Sequence, residues 1–157
     1  LPILVKEVGQ GLSSETIKRL EDTGVRIVDI AGAGGSNWIS IEGERLDNDQ
    51  TVLKQVANEF ANWGEPTAAV LEELNTELTV IASGGLTNPQ DLPKALALGA
   101  NLAGIAGPLL KPALKGDVHQ LVEYLTVWQK TLEMVLFGTG LRTVQDLIGN
   151  RQYLVKS

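Results

Sequence analysis

Residues 78–89 read LTVIASGGLTNP. The run Leu78 to Ser83 is apolar, partly β-branched and not alternating, which is how a strand covered on both faces reads. Gly84-Gly85 ends it, and Asn88-Pro89 then opens a helical pattern: Asn88 as cap, Pro89 at the first position, Leu92, Ala95 and Leu96 as the inner stripe, Gly99 as the stop. A buried strand, a glycine turn and a helix make one βα unit. The question is why two glycines stand where the strand ends.

Outward from this unit the same rhythm recurs. Strands are expected over residues 3–8, 26–31, 78–83 and 102–106, together forming a parallel sheet. Between the first two, Ser13-Ser14-Glu15 offers a helix start, Ile17 and Leu20 share a face, and Gly24 ends the helix. The next interval predicts a helix from Asp49 to Trp63 with Val52, Val56, Phe60 and Trp63 as its inward stripe. Gly64-Glu65-Pro66 breaks it, and a crossover helix follows over residues 67–75. The strongest helical pattern carries Val118, Leu121, Val122, Leu125, Trp128, Leu132, Val135 and Leu136, stopped by Gly138-Thr139-Gly140, with a small helix within residues 141–148.

Four βα units with unequal connections fit either half of a (β/α)8 barrel or a small doubly wound sheet. Glycines follow the second strand (Gly32, Gly34, Gly35), the third (Gly84, Gly85) and the fourth (Gly107). All stand at carboxyl ends of strands, where backbone amides and a helix N-terminus can face an anion, as in the phosphate site of a barrel. A dinucleotide-binding sheet would instead carry Gly-x-Gly-x-x-Gly after its first strand; Gly9-Gln10-Gly11 lacks the third glycine. Tight strand-to-helix turns also use glycine, so the pair at 84–85 has a purely structural reading as well.

Composition removes several classes. The chain has 157 residues, 43% apolar and 20% charged, room for one sizeable core. Thirteen Lys and Arg against nineteen Asp and Glu give a net charge of −6 without a basic run, which argues against nucleic acid. Cysteine is absent and His119 is the single histidine, so thiol chemistry is excluded and a zinc site disfavoured. No apolar run approaches the roughly 18 residues that span a bilayer, and a cytoplasmic location is the expectation. A strand-like run beginning at Leu1, with no Met, predicts that the chain is part of a longer protein.

Among polar residues, Lys6 stands out because it closes an otherwise apolar strand, where a charge must face a mouth or find a partner. A functional Lys6 is preferred to a salt bridge with Glu7. Trp38, Glu42 and Arg45 follow the glycine cluster, and Trp38 can wall a pocket or simply pack in an ordered loop. Asp29 reads as a paired structural residue and His119 as a solvated one.

The blocks VKEVGQGLS (5–13), VDIAGAGGSNWISIE (28–42), ASGGLTNPQDLPKALALGA (82–100) and AGIAGPLL (103–110) together resemble type 2 isopentenyl-diphosphate isomerases. The resemblance implies an α/β fold, a (β/α)8 TIM barrel of which this chain supplies strands five to eight, residues 1–157 being the C-terminal half of a single barrel domain. It implies FMN, NADPH and Mg2+ as cofactors, a small-molecule diphosphate substrate and a homo-oligomer. Lys6 would lie by the flavin ring, Ala31 and Ser36 would touch the cofactor, and Gly84, Gly85, Leu86, Ala106 and Gly107 would bind its phosphate through backbone groups. Many relatives carry a hydroxyl residue where Ala31 stands. Trp38 would shelter positive charge on the substrate. The family's catalytic Gln and metal-binding Glu lie upstream, so no metal ligand is expected here. Another FMN barrel oxidoreductase and a non-catalytic half-barrel remain as alternatives; an α-hydroxy-acid oxidase would want a His and Arg pair and an IMP dehydrogenase relative a Cys loop.

Overall fold

In the computed structural model, which describes residues 1–114 and 116–155, four short strands form where the apolar runs predict them. They are β1 (Leu4–Lys6), β2 (Ile27–Asp29), β3 (Thr79–Ala82) and β4 (Leu102–Ala103), each shorter than the apolar run that contains it. All pair in parallel, in the spatial order β1-β2-β3-β4. A doubly wound sheet reverses its strand order at a switch point. No reversal occurs here, so the sheet is a segment of barrel wall.

Side chains alternate across that wall. Val28, Ile30, Val80 and Ala82 point to one face, where they are buried with Ile17, Val70, Leu71 and Ala95 from the surrounding helices. These helices are α1 (Ser14–Asp22), α4 (Thr67–Glu73) and α5 (Asp91–Leu98). Among the described residues the opposite face carries no helix. There Leu4 pairs with Ile27, and Lys6, Asp29, Ile81 and Leu102 lie in register across all four strands.

Local chemistry explains the helix ends. The Ser13 side chain accepts the N–H of Thr16 and caps α1 as expected. The start of α5 differs from expectation, beginning at Asp91 rather than Pro89. The Asp91 carboxylate accepts the N–H groups of Thr87 and Asn88, which holds residues 87–90 as a turn, while the Asn88 amide donates to Thr87 Oγ1 instead of capping. The longest helix, α7 (Val118–Thr139), is capped by Asp117 and passes through Gly138 before Gly140 ends it in the left-handed region. Two helices were not legible as such. Residues 38–45 form α2 (Trp38–Arg45) rather than a loop, capped by the Asn37 side chain on Ser40 N–H. Residues 107–114 form α6 (Gly107–Leu114) despite Pro112 within it.

The helix expected from Asp49 to Trp63 is shorter, α3 (Thr51–Glu59), and its inward face is not the predicted stripe. Val52, Val56, Phe60 and Trp63 are exposed, and Ala57 is the buried residue. The reason is a notch: Gly43 of α2 faces Ala57 so closely that a Cβ there would stand 2.6 Å from the Ala57 methyl. Close helix approach through two small residues turns the larger ones outward. In α7 only Trp128 of the predicted stripe is fully buried, while Val118, Val122 and Leu125 are exposed. The small helix α8 (Val144–Leu147) forms within the predicted span, with a Thr143–Asp146 capping box. A 3-10 turn, Arg151–Tyr153, follows it. Arg151 then donates to the carbonyls of Leu71, Glu72 and Leu98, capping the C-terminal ends of α4 and α5 together.

Candidate functional site

The polar residues of the uncovered face collect at the carboxyl ends of the strands. Lys6 is exposed, level with Asp29 on the neighbouring strand, and its Nζ donates to the backbone carbonyl of Glu7 at 2.7 Å. The Glu7 carboxylate is engaged elsewhere. Its Oε2 accepts the N–H groups of Gly9 (2.7 Å), Gln10 (2.5 Å) and Gly11 (3.0 Å). Burial alone would raise the Glu7 pKa, but these amides, Gln10 foremost, outweigh it and hold the carboxyl below its ordinary value. The Gly-x-Gly after β1 is therefore an anion nest filled by the chain's own side chain.

Asp29 ties the second strand to the third. Its Oδ1 accepts the Ser83 hydroxyl at 2.6 Å and the Ala31 N–H at 3.1 Å. Ala31 is buried and carries the one positive φ of a non-glycine among the described residues, 44°. This bend releases the chain from β2 into the glycine loop.

The two glycine loops then pack backbone against backbone. The N–H of Gly32 donates to Ser83 O at 2.8 Å, and a Cβ at Gly84 (φ 88°) would overlap the Gly32 carbonyl oxygen. At Gly85 (φ 82°) a Cβ would come within 3.1 Å of the Gly34 carbonyl carbon. Thr67, buried at the start of α4, donates its hydroxyl toward Ser83 O (2.8 Å) and Gly84 O (2.6 Å), two acceptors sharing one hydrogen. The paired glycines thus have a first reason within the fold, because each fits where a side chain would not.

A second reason lies in the amides. With the carbonyls of Ser83 and Gly84 held by Thr67, the N–H groups of Gly84, Gly85 and Leu86 have no acceptor among the described residues. Nor do those of Ala106 and Gly107, the latter opening α6. The ends of β3 and β4 adjoin, since a Cβ at Gly104 would lie 3.1 Å from the Ser83 Cβ. Unpaired amides, two of them on positive-φ glycines and one at a helix start, suit a phosphate. They cannot be read as a cation site.

Ser36 and Trp38 stand apart from this cluster, against the loop after β1. A Cβ at Gly9 would overlap the Ser36 carbonyl and come within 3.6 Å of Trp38 Cδ1. Trp38 is half exposed on the first turn of α2, whereas Glu42 and Arg45 pair with each other in solvent at 3.0 Å. His119 is exposed on α7, 3.7 Å from Glu123 and in none of these strand-end loops. A cleft of about 990 Å3 opens between α4 and α5 with Gly84 and Gly85 in its wall, but Arg151, its one guanidinium, is spent on carbonyls. The sequence marks Glu7 only as a possible salt-bridge partner of Lys6 and gives no role to Ser83 or Thr67. An acid directly before Gly-x-Gly and a threonine directly after Pro66 were the available signals.

No helix among the described residues is long and apolar enough to cross a membrane. The family model for FMN-dependent dehydrogenases matches residues 1–156. Curated relatives include the isopentenyl-diphosphate delta-isomerases of Rickettsia canadensis, 41% identical over 94% of this chain and 43% of the relative, and of Thermococcus kodakarensis, 40% identical over 93% and 39%. That of Chlorobium phaeobacteroides is 36% identical over 98% and 45%, so the chain spans less than half the length of these relatives. A solved mutant flavocytochrome b2 with benzoylformate superposes with a TM-score of 0.59 at 19% identity, covering 99% of this chain and 37% of that one, which carries the fold alone. With the family match running through all four βα units, this chain belongs to the FMN-dependent dehydrogenase family.

Proposed function

We propose that the chain supplies strands five to eight of one (β/α)8 barrel domain that isomerises isopentenyl diphosphate to dimethylallyl diphosphate with FMN bound at the strand ends. The single observation that carries the FMN half is the set of unpaired amides at Gly84, Gly85, Leu86, Ala106 and Gly107. The isomerase half is supported by relatives near 40% identity that bear that name.

FMN, when bound, supplies acid and base chemistry at its ring after reduction by NADPH. The chain's own residues would bind and orient the group and place charge beside it. The five amides would hold the phosphate through backbone dipoles that need no reorientation. Lys6, exposed on the open face, would place a full positive charge where a reduced, anionic ring is stabilised. Ala31 and Ser36 would border the cofactor. Trp38, half exposed, would offer a π-face to positive charge building on the substrate. Mg2+ for the diphosphate, a homo-oligomeric state and a cytoplasmic location complete the proposal, with the metal ligands outside this chain.

The test is the full-length protein's visible absorption spectrum followed by an assay with isopentenyl diphosphate, FMN, NADPH and Mg2+. Flavin bands and formation of dimethylallyl diphosphate only with reduced flavin are expected. A colourless protein that binds no added FMN would overturn the cofactor assignment, and a flavoprotein inert toward this substrate would overturn the isomerase assignment alone.

A further inference from the structure

We propose that Glu7 is a positioning residue for Lys6: its carboxylate, seated in the amides of Gly9, Gln10 and Gly11, fixes the backbone carbonyl on which the Lys6 ammonium rests. The proposal rests on the FMN reading for what Lys6 then does. Residue 7 is pinned on two sides. Its N–H donates to Asp29 O at 3.3 Å, which ties it to β2, and its side chain clamps the three residues of the following loop. Its carbonyl is therefore a fixed acceptor, 2.7 Å from Lys6 Nζ. An exposed lysine otherwise samples many rotamers and must lose them to hold one position.

The same arrangement separates two charges that adjacent residues would be expected to cancel. Lys6 and Glu7 are neighbours, yet no ion pair joins them, because the negative charge is absorbed by backbone amides. The Lys6 Nζ, with one N–H on the Glu7 carbonyl, has two further N–H groups without an acceptor among the described residues, available to an anionic partner on the open face. An Ala at position 7 would lose the carboxylate and with it the loop clamp, whereas a Gln would keep one neutral acceptor oxygen there. The depressed pKa of Glu7 agrees with a carboxylate that stays ionised there.

The experiment is a double-mutant cycle in the full-length protein, reading the reduction potential of bound FMN. Glu7→Ala is expected to weaken reduced relative to oxidised FMN binding by about tenfold, roughly 30 mV for a two-electron couple. In a Lys6→Met background the same change should shift the potential no further. An unchanged potential in Glu7→Ala, or equal shifts in both backgrounds, would overturn the proposal, since Glu7 would then act without Lys6 or not at all. If Glu7→Ala does not fold, Glu7→Leu, which fills the space but offers the loop amides no acceptor, takes its place in the cycle with the same criteria. Should the wild type bind no FMN, the functional reading fails by itself, and the 13C-methylated Lys6 signal of the apoprotein decides. Averaging of that signal in the Glu7 variant supports the positioning role, and a signal unchanged from wild type rejects it.

Discussion

Gly32 and Gly84 meet backbone to backbone, so closely that a Cβ on Gly84 would overlap the Gly32 carbonyl oxygen. Gly84→Ala therefore combines strain at φ 88° with a clash against backbone that cannot swing aside. The expected destabilisation is about 2–5 kcal/mol, from positive-φ strain and overpacking together. Gly24 is the control: its φ is 89° but nothing lies within 4 Å of its added Cβ, so Gly24→Ala should cost only about 1–2 kcal/mol. Urea unfolding of both variants measures the difference, and equal losses would mean that the loop contact contributes nothing.

Thr67 holds the third strand's exit from below. Thr67→Val keeps the shape and removes the hydroxyl that serves Ser83 O and Gly84 O, leaving the half-buried Gly84 O without a donor while Ser83 O keeps the Gly32 N–H. A loss of about 1–3 kcal/mol follows, with faster amide exchange through residues 83–86. Thr67→Ser, which keeps the donor, should recover most of it in the same unfolding experiment.

The strands and most crossovers were legible because apolar runs, caps and glycines are local signals. The parts that were not legible are those in which a residue's partner, near or far in the chain, overrides what its own type suggests. Asn88 reads as a cap by itself, but Asp91 reaches back to the Thr87 and Asn88 amides and starts the helix later. Val52, Val56, Phe60 and Trp63 read as a core stripe, yet Gly43 admits Ala57 and rotates that stripe outward. In the site, glycine positions announced strand-end loops, whereas the Asp29–Ser83 bond spans 54 residues and no spacing rule predicts it. Lys6 was visible as a misplaced charge. The fate of its neighbour's carboxylate was not.

Acid should unmask that carboxylate. A carboxyl whose folded pKa lies below its unfolded value contributes stability that is fully present above the unfolded pKa and is lost as pH falls through the folded one. Glu7 is such a group. The stability difference between wild type and Glu7→Gln should be constant near neutral pH and shrink as pH drops below the ordinary carboxylate range. Glu21, Glu133 and Asp146 are lowered too, by Lys18, Lys130 and Thr143 respectively, but they are present in both proteins and cancel in the difference. A difference independent of pH in chemical unfolding would mean that Glu7 is not held as an anion.

The phosphate assignment can be separated from damage to the fold by comparing two ligands. Gly85→Val places a branched side chain at φ 82°, with its Cβ about 3.1 Å from Gly34, and must disturb the turn. Loss of FMN affinity alone would not say why. Riboflavin carries the same ring without the phosphate, so the ratio of the two affinities isolates what the amides of Gly84, Gly85 and Leu86 do. Two or more charge-assisted bonds at about 1.5–3 kcal/mol each imply a preference for FMN of roughly a hundredfold or more in the wild type. In Gly85→Val that preference should fall below about tenfold, as read by fluorescence titration of the full-length apoprotein. A variant that weakens both flavins equally would move the phosphate away from this turn and leave its glycines explained by their packing against Gly32 and Gly34.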